Sequence, residues 1–204
     1  LYGVSGLLAG TFDLQQILNE IVRRVAEVMR VKSVSLRLFN EDTGELVIKA
    51  GYGLSREYLS KGAVRVAENP VDAQALSGQT VYIEDLPNDP RIRYPEEARR
   101  EGLRSGLVTG MFYRGKPVGV LRAYAGQKHR FSAFEAGLLR AMAAQAASAI
   151  ETVRLYQEEL QAERVRKQIA MAGDVQRRMI PSRPPPHPTL TFGAVYQPSL
   201  GVGG

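Results

Sequence analysis

The chain contains no cysteine, and this absence excludes several kinds of chemistry at once. Disulfide bonds, thiolate catalysis, cysteine-ligated zinc and covalent attachment of a cofactor through a thiol all require that side chain. Histidine is almost as scarce, since the sequence has His129 and His187, far apart and without acidic or histidine neighbours at a ligand spacing. A single histidine could still be an axial haem ligand, but the residues predict no metal centre in this chain.

The sequence also lacks a hydrophobic run long enough to cross a membrane, which takes about 20 apolar residues. Its alanine-rich stretch, AMAAQAASAI, is interrupted by Gln145 and flanked by Arg140 and Glu151. No basic segment followed by an apolar one resembles a secretory signal. We therefore expect a cytoplasmic protein with no membrane partner. Because the chain begins at Leu1 and ends at Gly204, we also expect it to be a piece of a longer protein.

The net charge of +6 and the isoelectric point of about 9.7 would suit either a nucleic-acid surface or a soluble domain with surplus arginine. The basic residues are interleaved with acids, as in RIRYPEEARREGLR, and no series of aromatic side chains accompanies them. This pattern is typical of a solvated surface. We therefore predict no nucleic-acid partner.

The order of predicted elements describes an α+β domain, with one antiparallel sheet and helices packed on one face. A first helix begins after the N-cap Asp13, and the alternating stretches VKSVSLRLFN and LVIKAGYG predict a β-hairpin. A short helix begins after Asn69, a capping residue followed by Pro70. The strand TVYIEDL, an irregular loop, a second hairpin and a long helix follow.

The long helix begins with a capping box, in which Ser132 is followed three residues later by Glu135. Apolar residues then recur at alternating steps of three and four, as in a coiled coil. This spacing of apolar residues is interrupted after Leu160 and starts again at Val165. Pro181 is predicted to end the helix. This face could pack on the domain's own sheet or against a second copy. We predict both, with the first turns on the sheet and the rest in a parallel homodimer. The predicted helix seam comprises Met142, Ala146, Ala149, Val153, Tyr156, Leu160, Val165, Ile169, Ala172 and Met179.

This order of elements resembles a GAF domain. The motif FSAFE at Phe131 and the stretch QAASAIE at Gln145 are similar to the start and middle of that family's last helix, and YIEDLPNDPRI resembles its strand and Asp-Pro-Arg loop. The resemblance covers about residues 1–160. It implies a GAF/PAS-like antiparallel sheet followed by a long, coiled-coil-like C-terminal helix.

The resemblance also implies a small-molecule pocket between the sheet and the irregular loops. Ser35 and Arg37 lie on the polar side of their strand, which faces either solvent or this pocket. Bilin attachment and methionine-sulfoxide reduction in this family require a cysteine, and the cyclic-nucleotide signature is degraded because Asp89 follows Asn88. The ligand therefore stays unidentified. The candidate ligand-binding residues are Ser35, Arg37, Tyr52, Asp85, Tyr94, Thr109 and Met111.

The C-terminal part resembles the entry to a SpoIIE/RsbU-type serine phosphatase domain of the PPM superfamily. The family's helix motif is matched by Ala172, Val175, Gln176, Met179 and Pro181. Its first strand is matched by Tyr196, Pro198, Val202, Gly203 and Gly204. In that family the next residue is an aspartate that helps to bind two Mn²⁺ or Mg²⁺ ions, which prefer carboxylate oxygens. Gly203 and Gly204 would precede this ligand, so we expect no catalytic residue or cofactor within the chain.

The two resemblances divide the chain into a sensor domain (residues 1–155), a signalling helix (156–180) and a proline-rich linker with a first phosphatase strand (181–204). They imply that ligand binding or a dimer rearrangement controls a downstream phosphatase. Its substrate would be a phosphorylated protein similar to anti-sigma-factor antagonists. A stand-alone small-molecule-binding module is the alternative. We expect no enzyme within these residues, because they offer no nucleophile–base pair.

Overall fold

The computed structural model describes residues 14–179 and 188–189, and it divides the chain into two compact units, Leu1–Arg154 and Leu155–Gly204. The helices are α1 (Leu14–Met29), α2 (Arg56–Leu59), α3 (Pro70–Leu76), α4 (Pro95–Arg100) and α5 (Ala133–Met179). The strands are β1 (Ser33–Asn40), β2 (Glu45–Tyr52), β3 (Val64–Arg65), β4 (Val81–Ile83), β5 (Ser105–Tyr113) and β6 (Lys116–Ala125). The strands form one antiparallel sheet in the order β3-β2-β1-β6-β5-β4. The predicted α+β fold is therefore confirmed.

The sheet has an apolar core on each face, because successive strand residues point to opposite sides. The first face packs against α1 and the start of α5, and its core includes Leu36, Leu121, Leu139 and Ile150. The second face is covered by the short helices α2, α3 and α4, whose buried residues share a core with strand residues such as Tyr124. The sequence predicted helices on one face of the sheet, whereas the structure has helices on both faces.

Helix α3 lies very close to the sheet, and its first turn is capped as predicted. The Oδ1 atom of Asn69 accepts a hydrogen bond of 3.2 Å from the backbone N–H of Asp72, and Pro70 occupies the first turn. The residue of β5 beneath the helix is Gly110, where a Cβ atom would lie 2.4 Å from the carbonyl oxygen of Ala75. Glycine thus lets α3 approach the sheet closely, and the cap fixes Asp72 at the start of α3.

The predicted capping box at the start of α5 is confirmed, and it is extended by a histidine. The backbone N–H of Ser132 donates to Glu135 Oε2 at 2.7 Å, and the N–H of Glu135 donates to Ser132 Oγ at 3.2 Å. The Nε2 atom of His129 lies 2.8 Å from Glu135 Oε1. The two bonds between Ser132 and Glu135 satisfy backbone N–H groups that a helix start otherwise leaves without a partner.

We expect Ser132→Ala to lower the free energy of unfolding by about 1 kcal/mol, the usual cost of removing a helix N-cap. Urea denaturation followed by circular dichroism measures this change. The matched control is Ser148→Ala, at an exposed position of the same helix, which should change stability by less than about 0.5 kcal/mol. Equal effects of the two substitutions would mean that the cap does not stabilise α5.

The predicted helix seam differs in exposure between the two units. In the first unit, Ala146 and Val153 are buried, and Met142 and Ala149 are half-buried. In the second unit, Leu160 is half-buried, and the exposed members are Tyr156, Val165, Ile169, Ala172 and Met179.

Some predictions fall beyond the part of the chain that can be compared. The described residues do not include the predicted N-cap Asp13 or the predicted helix end at Pro181. Apart from residues 188–189, they also do not include the predicted proline-rich linker and phosphatase strand. Within the described ranges, no helix is both long enough and apolar enough to cross a membrane.

Candidate functional site

Three charged side chains meet beneath the short helices on the second face of the sheet. Arg37 lies on β1, Arg122 on the neighbouring strand β6, and Asp72 in the first turn of α3. Ser35 pairs directly with Arg122 across the two strands, and Arg37 lies two residues farther along β1 on the same face. We call Arg37, Asp72 and Arg122 the buried charge cluster.

All three members of the buried charge cluster are almost fully removed from solvent, with exposures of 3% for Arg37, 0% for Asp72 and 5% for Arg122. Arg122 Nη2 donates to Asp72 Oδ1, whereas Arg37 Nη1 lies 3.7 Å from Asp72 Oδ2, beyond hydrogen-bond distance. The Nε atoms of both arginines and the Oδ2 atom of Asp72 are buried without a hydrogen-bond partner. The cluster therefore contains two guanidinium groups and one carboxylate, with two unused donors and one unused acceptor among them.

Aromatic and hydroxyl groups surround the buried charge cluster. Tyr124 OH lies 3.1 Å from Ser35 Oγ, and the ring of Tyr58 stands edge-on to that of Tyr124, with the centroids 6.4 Å apart. The half-buried Lys61 places its Nζ atom 3.1 Å from the Tyr58 ring centroid and 5.2 Å from that of Tyr94. Polar groups from β1, β6, α2 and the segment after α2 thus converge at one place.

The electrostatic environment of the cluster is dominated by positive charge. Burial, followed by repulsion from Arg122, lowers the pKa of Arg37. Burial alone would also lower the pKa of Arg122, but attraction to the Asp72 carboxylate raises it overall. Burial and the two guanidinium charges lower the pKa of Lys61 to about 6. The carboxylate of Asp72 thus favours the charge of Arg122 and leaves that of Arg37 poorly compensated.

The profile of the GAF domain family matches residues 12–151, more than half of the chain. The chain belongs to the GAF domain family. It therefore contains a sensory GAF domain, as the resemblance implied.

Curated relatives of this GAF domain match over a short stretch. A nitrogen fixation protein, VnfA, from Azotobacter vinelandii is 26% identical over 90 residues, which are 44% of this chain and 17% of VnfA. The Nif-specific regulatory protein of Herbaspirillum seropedicae is 29% identical over 90 residues, 44% of this chain and 16% of that protein. The matched stretch is thus less than a fifth of the length of either relative.

A solved structure resembles the GAF domain over most of its length. The GAF domain of an Acinetobacter phosphoenolpyruvate-protein phosphotransferase has 23% sequence identity and a TM-score of 0.61, and the match covers 73% of this chain and 89% of that chain. At this identity the similarity establishes the fold, and the functional argument depends on the residues of this chain.

The structure brings some of the predicted ligand-binding residues of the GAF domain together and separates others. Ser35 and Arg37 lie at the buried charge cluster, and Tyr94 lies at its edge beside Lys61. Tyr52 is exposed. The others are apart from the cluster, since Asp85 lines a separate cavity of about 370 Å³, and Thr109 and Met111 are on the sheet face that packs against α1 and α5.

Sequence reasoning missed five residues of the site: Tyr58, Lys61, Asp72, Arg122 and Tyr124. A signal for two of them exists in VGVLRAYAG, where Arg122 and Tyr124 alternate with apolar residues in a strand that is buried along most of its length. An arginine within such a strand indicates a charge partner inside the protein. The sequence offers no comparable signal for Asp72, because an acidic residue is ordinary in the first turn of a helix.

Proposed function

We propose that this GAF domain binds a small molecule at the buried charge cluster and controls, through α5, the output domain of a cytoplasmic regulatory protein. The output domain that the C-terminal residues favour is a SpoIIE/RsbU-like, metal-dependent protein serine phosphatase. The likeness to a Nif-specific regulatory protein supports a regulatory role in general.

The observation that carries the sensing proposal is the position of the cluster on the sheet. Arg37 and Arg122 face the short helices, whereas their neighbours Leu36 and Leu121 face the core that contains Leu139 of α5. The cluster and the start of α5 are thus separated by one layer of two hydrogen-bonded strands. A ligand that moves the arginines would also move these neighbours, provided that it binds two states of the domain with different affinity.

The second unit supports a homodimer as the form that transmits the signal. Large apolar side chains of α5 are exposed there, and four of them belong to the predicted helix seam: Tyr156 (43%), Val165 (43%), Ile169 (39%) and Met179 (78%). Val165 and Ile169 are four residues apart and so lie on the same face of the helix. A helix with such a stripe is stabilised when a second copy buries it.

We expect the chain to be a dimer at micromolar concentration, and Ile169→Asp to weaken dimerisation by about 100-fold or more. A dimer would bury two copies of Ile169, each contributing about 1.5–3 kcal/mol. Sedimentation equilibrium measures the dissociation constant. The control is Ala170→Asp, an exposed neighbour about 100° around the helix, which should leave the constant within a few-fold of that of the original chain. A monomer at high micromolar concentration would contradict the homodimer.

The phosphatase proposal depends on the motifs at residues 172–181 and 196–204. No group of three or more metal-ligating side chains occurs within the described residues. By the family resemblance, the Mn²⁺ or Mg²⁺ ions of such a phosphatase would be held by residues after Gly204 and would supply an activated water for attack on the phosphoryl group. The proposed substrate is a phosphorylated protein similar to anti-sigma-factor antagonists.

The encoding gene and the full-length protein test the phosphatase proposal. We expect an aspartate codon directly after Gly204, and Mn²⁺-dependent release of phosphate from a phosphoserine protein by the full-length product. The same product with the aspartate replaced by asparagine is the control and should be inactive. If no acidic phosphatase domain follows, the alternative of a stand-alone small-molecule-binding module is favoured.

A further inference from the structure

We infer that the buried charge cluster is an anion-binding site, and that its ligand is a small molecule bearing a carboxylate or phosphate group held by Arg37 and Lys61. This inference rests on the proposed sensory function and names the chemical class of the ligand. Its three supports are an excess of buried positive charge, unused hydrogen-bond donors on Arg37, and a lysine at the half-buried edge of the cluster.

The first support is the charge balance. Two guanidinium groups share the single carboxylate of Asp72, and Asp72 is the one buried carboxylate within the described residues. A buried charge without a counter-ion is costly unless another group compensates it. An anion bound at the cluster would supply the missing negative charge.

The second support is the hydrogen bonding of Arg37. Asp72 directs one oxygen to Arg122 at hydrogen-bond distance, and its other oxygen is 3.7 Å from Arg37 Nη1. The Nε atom of Arg37 is buried and has no partner. A guanidinium group presents donors in a planar fork that matches the two oxygens of a carboxylate or phosphate. Arg122 also has an unpartnered Nε atom, but one of its Nη atoms already donates to Asp72, so Arg37 has more of its donors left for a ligand.

The third support is Lys61, which lies half-buried between Tyr58 and Tyr94. The face of the Tyr58 ring favours an ammonium group, whereas burial and the two guanidinium charges favour the neutral amine. Lys61 is thus close to neutral in the absence of a nearby anion. The charged and titratable groups that act on it are Arg37, Arg122, Glu97, Glu101, Tyr58 and Tyr94.

A bound anion would favour the charged form of Lys61, because a nearby negative charge stabilises the ammonium group and raises its pKa. Binding at pH 7.5 should therefore take up as much as one proton. The carboxylates of Glu97 and Glu101 also attract Lys61, but burial and the two guanidinium charges have the larger effects and lower its pKa overall.

The test titrates the 204-residue chain with sodium succinate and, separately, with inorganic phosphate, using sodium chloride at matched ionic strength as the reference. We expect at least one of the two anions at about 20 mM to raise Tm by about 3 °C or more over the reference. Comparing the two probes distinguishes a carboxylate from a phosphate ligand. Calorimetry in Tris and in imidazole buffer measures the proton uptake.

Two variants connect the binding to the cluster. Arg37→Met should weaken binding of the effective anion at least tenfold while leaving the Tm of the ligand-free chain equal or higher, because it removes the poorly compensated charge. Lys61→Met should weaken binding several-fold and abolish the proton uptake. The exposed control variants are Arg65→Met and Lys128→Met, which should bind as the original chain does.

Three results would overturn the inference. The first is a Tm shift below 1 °C with both anions. The second is unchanged binding in Arg37→Met and Lys61→Met, which would place the anion elsewhere. The third is a large fall in Tm, or loss of folding, in ligand-free Arg37→Met, which would assign Arg37 a structural role as a partner of Asp72. Because dimerisation and phosphatase activity are measured separately, failure here is distinguishable from failure of the proposed function.

Discussion

Replacing Asp72 by asparagine should lower the free energy of unfolding by about 3–5 kcal/mol. The substitution keeps the shape of the side chain and the cap from Asn69, but it removes the carboxylate that compensates two buried guanidinium groups. Removing one partner of a buried ion pair costs this much because the other charge stays buried without a counter-ion. Urea denaturation at neutral pH, followed by far-ultraviolet circular dichroism, measures the loss.

The matched control for Asp72→Asn is Asp42→Asn, at an exposed position after β1. This change should alter stability by less than about 0.5 kcal/mol. The double variant Asp72→Asn/Arg122→Met should be more stable than Asp72→Asn alone, since it also removes one of the uncompensated charges. A loss below 1 kcal/mol in Asp72→Asn would show that the two arginines do not depend on this carboxylate.

Replacing Leu139 by alanine should lower the free energy of unfolding by about 2–5 kcal/mol, the range for removing a fully buried leucine side chain. Leu139 is completely buried near the start of α5, in the core that contains Leu36 and Leu121. The substitution removes apolar contacts and leaves a cavity between α5 and the sheet. The same denaturation experiment measures the loss.

The control for Leu139→Ala is Leu155→Ala, the same substitution farther along α5, where the side chain is 51% exposed. It should change stability by less than about 0.5 kcal/mol. If the two substitutions cost the same, the start of α5 is not held by the core of the sheet. The proposed route from the buried charge cluster through β1 and β6 to α5 would then have no physical basis.

Local elements of the fold were predictable because their signals lie within a few residues of one another. The cap at Asn69 and the capping box of Ser132 and Glu135 each involve residues three apart, and both form as predicted. The alternation in β1 correctly separated Ser35 and Arg37 from Leu36. The alternation could not tell whether those two polar residues face solvent or a pocket. It separates the two faces of a strand but does not show what covers either face.

The composition of the site was largely unpredictable, because its members come from distant parts of the chain. Asp72 and Arg122 are 50 residues apart, and their pairing depends on where α3 lies over β6. Thr109 and Met111 were predicted beside the ligand, but β5 is buried on both faces over most of its length. An apolar strand of this kind carries no alternation that would tell one face from the other.

By itself, the sequence determined the α+β class, the family resemblance, the helix caps and the repeat of apolar residues along α5, since these depend on local spacing and composition. The tertiary structure alone decided that Arg37 and Arg122 are buried together, that Asp72 neutralises one of them more fully than the other, and that Lys61 lies beside them. The physical reason is that burial and charge compensation depend on tertiary contacts between residues distant in the sequence. Helix and strand periodicity does not specify those contacts.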